Sequence, residues 1–266
     1  MPFADLKDFR FFYETRGAGE PLVLISGFAS GAWNWFRQIE DLAKHFQVIT
    51  FDPRGVARSE ISAGAEVSIQ AIADDIAGLL DVLEIEKANL LGVSFGGFVA
   101  QEFALAYPEK LDRLILACTG FGGKNHVAPA WEVLATFISN GDLNRGDAVR
   151  RFMIPAFTTD FYAAHKETVE KVCRLREENF VPETVYLAQL QSATSFDAES
   201  RLGNIKAETL ILTGDSDIVV PPQNSRNLAQ AIPNARLEVV ENSGHMFFIE
   251  KATEFNRIVS QFVSGQ

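Results

Sequence analysis

Three short stretches of this chain carry the residue types that acyl transfer requires. The first is Gly92-Val93-Ser94-Phe95-Gly96. It follows a short apolar run at Ala88 to Leu91 and precedes a stretch of helical periodicity that stops at Pro108. A serine in that strand–turn–helix context is a nucleophile elbow. The turn is tight enough that a side chain two positions either side of the serine would collide with backbone, so glycine stands at both places. The strain lifts the serine hydroxyl over the carboxyl edge of the sheet. Serine alone is a poor nucleophile near neutral pH. It needs a base within hydrogen-bond reach, an acid to orient that base, and N–H donors for the oxyanion.

The chain has four histidines, which makes the search for a base short. His45 closes a stretch beside Lys44, and His126 and His165 lie in a region without clear strands. His245 follows the last apolar strand, in Glu241-Asn242-Ser243-Gly244-His245-Met246-Phe247, which places it at the same sheet edge as Ser94. The order nucleophile, acid, histidine also fits. The acid falls in Gly214-Asp215-Ser216-Asp217, where two aspartates compete. Asp215 is placed to cap the turn. Asp217 lies further out and is followed by an apolar run that would wall it from water. The oxyanion donors are expected at the backbone N–H of Phe95, next to the nucleophile, and of Phe28, in the loop Ser26-Gly27-Phe28-Ala29-Ser30-Gly31.

The elements that must position these groups can be traced along the chain. Apolar strands are expected at Phe9–Glu14, Pro21–Ile25, Gln47–Phe51, Ala88–Leu91, Leu111–Ala117, Thr209–Thr213 and Leu237–Val240. Helical spacing is read over Trp33–Phe46 and Ser68–Leu83, the latter with Ile69, Ile72, Ile76, Leu79, Leu80 and Leu83 on one stripe. Short apolar strands alternating with helices argue an α/β fold, a mostly parallel twisted sheet covered by helices on both faces. The alternation breaks between Phe121 and Asn204, where several helices are joined at Gly141, Gly146, Pro155 and Pro182. The expectation is a helical cap insertion over residues 121–203, with the core formed by 1–120 and 204–266.

Composition narrows the partners. Lys and Arg number 24 against 35 Asp and Glu, a net charge of −11, which argues against nucleic acid or an anionic membrane surface. Two cysteines, Cys118 and Cys173, make no disulfide framework and read as small buried hydrophobes in a reducing compartment. The opening Met1-Pro2-Phe3-Ala4-Asp5 reaches charge too soon for a signal peptide, and no apolar run approaches a membrane span. A cytoplasmic protein is expected. No Cys/His ligand spacing or glycine-rich phosphate loop occurs, so neither metal nor organic cofactor is expected.

With these motifs assembled, the chain resembles the α/β-hydrolase fold family over nearly its whole length. It is similar to the compact capped members that include carboxylesterases, enol-lactonases and carbon–carbon bond hydrolases. Gly92-Val93-Ser94-Phe95-Gly96-Gly97, Asp52-Pro53-Arg54-Gly55, Gly214-Asp215-Ser216-Asp217 and Ser243-Gly244-His245 carry the resemblance. The family's G-x-x-D after its penultimate core strand falls on Gly214 and Asp217, so the resemblance implies Ser94, Asp217 and His245 as the triad. It implies a shaping role for Asp52 and Arg54 near the elbow. Two departures stand out: Ser26-Gly27 where the family often has His-Gly, and Ala57 where it often has a second glycine. The implied reaction is cofactor-free hydrolysis of a small carboxylic ester or lactone through an acyl-enzyme. Carbon–carbon bond hydrolysis on the same triad is the alternative, and a slow-turnover ligand receptor is the alternative of another class. The cap is rich in phenylalanine, and Trp131, Phe137 and Phe157 are expected to line an apolar substrate pocket. Lys124, Arg145, Arg150 and Arg151 are the cap's candidates for holding a carboxylate, or else form a solvated face.

Overall fold

An eight-stranded sheet runs through the molecule in the order β1-β2-β4-β3-β5-β6-β7-β8. The computed structural model describes residues 3–6, 9–62, 64–138 and 143–266. The strands are β1 (Phe3–Leu6), β2 (Phe9–Arg16), β3 (Glu20–Ile25), β4 (Phe46–Phe51), β5 (Ala88–Val93), β6 (Leu111–Ala117), β7 (Glu208–Gly214) and β8 (Ala235–Val240). Along the sheet from β4 to β8 every pairing is parallel, while β2 pairs antiparallel with both β1 and β4 at one edge. The helices are α1 (Ile39–Leu42), α2 (Ile69–Val82), α3 (Phe95–Ala106), α4 (Trp131–Ile138), α5 (Arg145–Met153), α6 (Thr159–Ala164), α7 (Lys166–Glu178), α8 (Glu183–Ser195), α9 (Gln223–Ala231), α10 (Phe247–Glu250) and α11 (Ala252–Val263). Among the described residues no helix is long and apolar enough to cross a membrane.

The period-two alternation of the strands divides the core into two layers. Val23, Ile25 and Leu90 pack with Ile72, Ile76, Val99 and Phe103 of α2 and α3. Their chain neighbours Leu22, Leu24 and Leu91 pack on the opposite face with Phe247, Phe255 and Phe262 of α10 and α11. Strands buried on both faces have no polar side, which is why β5 is apolar apart from Asn89, whose amide donates to the Pro21 carbonyl at 3.2 Å. Ser68 caps α2 by accepting the N–H of Ala71 at 3.1 Å, worth about 1 kcal/mol for such a cap.

Two local expectations are corrected. The single helix expected over Trp33–Phe46 is a 3-10 turn at Ala32–Trp35 followed by the one-turn α1. Tertiary bonds impose the break. Asp52 Oδ1 accepts the N–H of Ala32 at 2.8 Å, and Arg37 and Gln38 donate to the carbonyls of Ile249 and Phe248 at 2.7 and 2.5 Å. The short edge strand β1 was not expected, because four residues containing Asp5 carry little periodicity of their own. Pairing with β2 and the ring of Phe3 against Phe12, 5.3 Å apart, create it.

Between β6 and β7 the chain leaves the sheet and builds α4 to α8. Pro155 lies in the first turn of a 3-10 helix at Ile154–Ala156 and Pro182 is the N-cap of α8, as joints should be. Gly146 instead lies inside the first turn of α5, which Asn144 caps, so it is not a joint. Gly141 lies outside the described residues.

Candidate active site

The site forms where the sheet order reverses. The chain passes from β3 to β4 on one side and then returns to β5 on the other side of β3. Loops leaving β3 and β5 therefore diverge and open a crevice at their carboxyl ends, the usual place for a ligand in an open α/β sheet. Ser94 stands at the end of β5 with φ 54° and ψ −119°, a region that costs a non-glycine residue strain. Close packing maintains it. A Cβ on Gly92 would lie 2.2 Å from the Gly96 carbonyl oxygen, and one on Gly96 would lie 2.3 Å from that of Ile25. The Thr119 hydroxyl, just past β6, donates to the Ser94 carbonyl at 2.7 Å and braces the turn from the neighbouring strand.

The structure brings His245 and Asp217 together from adjacent loops after β8 and β7. His245 Nδ1 lies 2.8 Å from Asp217 Oδ2, with His245 8% and Asp217 3% exposed. The other oxygen of Asp217 accepts the N–H groups of Val219 and Val220, each at 2.8 Å, so both carboxylate oxygens are fixed. A buried carboxylate held this way makes Nδ1 the donor and leaves Nε2 free to take a proton. Asp215 does the other job weighed for it. It accepts from the N–H groups of Asn242 and Ser243 at 3.0 and 3.2 Å and ties the histidine loop to β7. His45 and His165 are exposed, and His126 packs edge-on against Phe121. Of the four, His245 shares a cavity with Ser94.

Phe95 opens α3, so its N–H is one of the unpaired donors at a helix N-terminus. Phe28 sits across the crevice in the loop after β3, its ring 6.2 Å from that of Phe95. Serine in place of the family's frequent histidine does not leave that loop slack. Ser26 Oγ bonds the Gly31 carbonyl at 2.8 Å, and Gln189 of α8, almost fully buried, accepts the Ala29 N–H at 2.9 Å. Ala57, the second departure, has φ 48°, a conformation glycine adopts more cheaply. Asp52 and Arg54 form the frame around it. Asp52 binds Arg58 Nε at 2.7 Å, and Arg54 makes a two-point pair with Asp75.

A cavity of about 290 Å³ lies over Ser94 and His245, walled by Phe137, Phe152, Met153 and Ala156 from the inserted helices and by Val219 and Met246 from the core. Phe137 is where the sequence put it. Trp131 and Phe157 are not. Trp131 is 67% exposed because it faces outward at the start of α4, a helix with no fully buried residue. Phe157 is buried in the apolar layer beside α7 and stacks on Phe161 at 5.8 Å, away from the cavity.

The basic candidates are also displaced. Arg150 pairs with Glu170 at 2.9 Å, and Arg145 lies over the ring of Phe180. The arginine that lines the cavity is Arg176 of α7. Its Nη1 donates to the Phe28 carbonyl and to Ser30 Oγ, each at 3.1 Å, and its guanidinium lies over Phe152 at 4.5 Å. Among the described residues it has no carboxylate partner. Loss of hydration lowers its pKa to about 10, so it remains a cation at neutral pH. The sequence did hold a signal for it. Val169, Val172, Cys173 and Arg176 share one helical face, which puts a charge on an apolar stripe.

Comparison with known proteins agrees with this geometry. A family model described as alpha/beta hydrolase fold matches residues 20–252. The chain is 33% identical to the 2-hydroxy-6-oxo-6-phenylhexa-2,4-dienoate hydrolase of Comamonas testosteroni, over 97% of this chain and 93% of that protein. It is 31% identical to the putative carbamate hydrolase RutD of Azorhizobium caulinodans, over 98% of each. A malate-bound thermophilic esterase from Thermogutta terrifontis superimposes with a TM-score of 0.86 at 25% identity, covering all of this chain and 99% of that one.

Proposed function

This chain belongs to the alpha/beta hydrolase fold family, and from that premise we propose that it is a serine hydrolase of small carboxylic esters or lactones. The observation that carries the reading is the buried Asp217–His245 pair at 2.8 Å, set over the same cavity as the strained Ser94. In this reading His245 Nε2 takes the proton as Ser94 Oγ attacks the carbonyl carbon. Asp217 holds the imidazole and stabilises its charged form. The amides of Phe28 and Phe95 receive the oxyanion, each such donor being worth about 3 kcal/mol. The leaving group departs with the proton from His245, and water activated by the same base releases the acid.

The walls support a substrate of two characters. Phe137, Phe152 and Met153 suit an apolar portion, while Arg176 offers a two-pronged cation to a carboxylate. Arg176, with no carboxylate paired to it among the described residues, favours an acidic substrate over a neutral one, although Glu132 also lines the cavity. The same arginine supports the second reading, hydrolysis of a carbon–carbon bond in an acidic diketone, the type of substrate named for the Comamonas relative.

A fluorophosphonate probe followed by peptide mapping tests the first step. Labelling is expected at Ser94 alone and is expected to be lost or greatly slowed in His245→Ala. A folded wild type that resists labelling removes the hydrolase reading and moves a ligand receptor to the front. Turnover of p-nitrophenyl esters and lactones against a vinylogous diketone acid then separates the two hydrolytic readings.

A further inference from the structure

We propose that Glu250 is a positioning residue for His245, its carboxylate fastening the histidine loop to the chain that enters α6 so that the base and one wall of the cavity stay in register. The inference rests on the hydrolase reading and extends it to a residue that touches neither the substrate nor the imidazole. Glu250 ends α10 and is 8% exposed. Its Oε2 accepts the N–H of Gly244 at 3.2 Å, and its Oε1 accepts the N–H of Thr158 at 2.7 Å. The Thr158 hydroxyl adds a longer bond to Oε2 at 3.4 Å. On the other side of the histidine, the N–H of Met246 donates to the Ala156 carbonyl at 2.9 Å. Both neighbours of His245 are therefore tied to the segment 156–158.

That segment is functional ground. Ala156 and Met246 line the cavity over Ser94, and Pro155 precedes them in the same wall. The contact is close: a Cβ on Gly244 would lie 2.9 Å from the Ala156 carbonyl oxygen. Asp217 fixes the ring of His245, but a hydrogen bond to Nδ1 leaves the ring free to shift with its backbone. The backbone is what Glu250 and Ala156 hold.

The chemistry of the side chain supports the assignment. Two N–H donors arrive from different segments, and a carboxylate offers an acceptor oxygen to each. Glutamine offers one oxygen and turns an NH₂ toward the other donor. Among the described residues no cation is paired with Glu250, although Lys251 follows it in the chain. Burial raises its pKa against the pull of its N–H donors. A carboxyl group held by two backbone donors where burial works against its charge fits a clamp whose geometry matters more than its stability.

The test is the second-order rate of fluorophosphonate labelling at Ser94, because it reads activation by His245 without a known substrate. Wild type, Glu250→Gln and Thr158→Pro are compared, with circular dichroism and thermal midpoints to establish folding. Thr158 has φ −68°, which proline accepts, so that variant strips both Thr158 donors, the N–H and the hydroxyl, from the carboxylate with the backbone path kept, at the cost of the cap that the hydroxyl gives α6 by accepting the Phe161 N–H. Misplacing a base by a fraction of an ångström is expected to slow labelling about 10-fold in Glu250→Gln and about 3-fold in Thr158→Pro. With a p-nitrophenyl ester the loss is expected mainly in kcat, with KM changed less than about 3-fold, since neither substituted residue lines the cavity itself. A role in stability alone would lower the thermal midpoint and leave the labelling rate of folded protein unchanged. Labelling at the wild-type rate in folded Glu250→Gln overturns the proposal. Should Glu250→Gln not fold, labelling at the wild-type rate in Thr158→Pro overturns it as well. A wild type that is not labelled removes the hydrolase reading itself, a different result from a labelled wild type with unaffected variants.

Discussion

The floor and the roof of the cavity are built by different means. The floor is the carboxyl edge of β3, β5, β7 and β8, where Ser94, Asp217 and His245 hang from strands joined by continuous ladders. There the Ser94 carbonyl accepts the Thr119 hydroxyl, Asp217 accepts two N–H groups, and Asp215 ties the loop that carries His245, at 2.7–3.2 Å. The roof is α4 to α8, where α4 has no fully buried residue and α5 buries only Met153. It is attached largely through side chains, Gln189 to the Ala29 N–H, Arg176 to the Phe28 carbonyl and Glu250 to the Thr158 N–H, beside the backbone bond from the Met246 N–H to the Ala156 carbonyl. A backbone ladder leaves no freedom in the placement of a nucleophile. Side-chain attachments leave room for the walls to differ in shape and chemistry while the floor stays the same. Chemistry is thus expected to fail steeply when the floor is altered, and selectivity to drift when the roof is.

Substitutions can break that contrast or sharpen it. Asp217→Asn keeps the size of the group but favours the wrong imidazole tautomer, and kcat is expected to fall about 10⁴-fold with the fold intact. A loss of less than tenfold would show that the floor tolerates change and would dissolve the comparison. Gly96→Ala places a Cβ against the Ile25 carbonyl oxygen, 2.3 Å away, where backbone cannot yield. A cost of about 1–3 kcal/mol in denaturant midpoint is expected, with activity falling further as the elbow shifts. Arg176→Met belongs to the roof. It is expected to raise KM for carboxylate-bearing substrates about 10- to 100-fold while neutral esters change little. The wild-type preference for anions should hold from neutral pH upward and fade as pH rises through about 10, where Arg176 loses its proton. The variant should show no such fade. Phe137→Ala removes a ring that packs on Phe152 at 4.6 Å and on Phe28 at 5.9 Å. A shift of a few fold in preference toward longer acyl chains is expected, with kcat on the best substrate within about threefold.

The floor was largely legible in the chain. Gly92, Ser94, Gly96, the Gly214 to Asp217 step and His245 are tied to strand ends, and strand ends are marked by apolar runs of fixed length followed by turn residues. The roof was legible as an interruption of the strand–helix alternation but not as a set of walls. Phe137 is half-buried against the cavity, whereas Trp131, similar in composition terms and only six positions earlier, faces water. Which side of a short helix turns inward depends on what it meets, and α4 meets Phe28 in the loop after β3 and Tyr186 of α8, which lie far away in the chain. Arg176 shows the middle case. Its place on the stripe of Val169, Val172 and Cys173 was visible, but a charge on an apolar stripe reads equally as a helix edge until its neighbours are known.

By itself, then, the sequence determined the fold class, the order in which Ser94, Asp217 and His245 reach the sheet edge and the place of the elbow. These follow from local rules: period-two burial, the space a glycine leaves, and the requirement that a base and an acid reach one hydroxyl. Only the tertiary structure decided which of two aspartates holds the histidine by contact, which arginine lines the cavity and which glutamate clamps the histidine loop. Those choices rest on hydrogen bonds between segments 28 to 148 residues apart, and no local pattern encodes a partner at that distance.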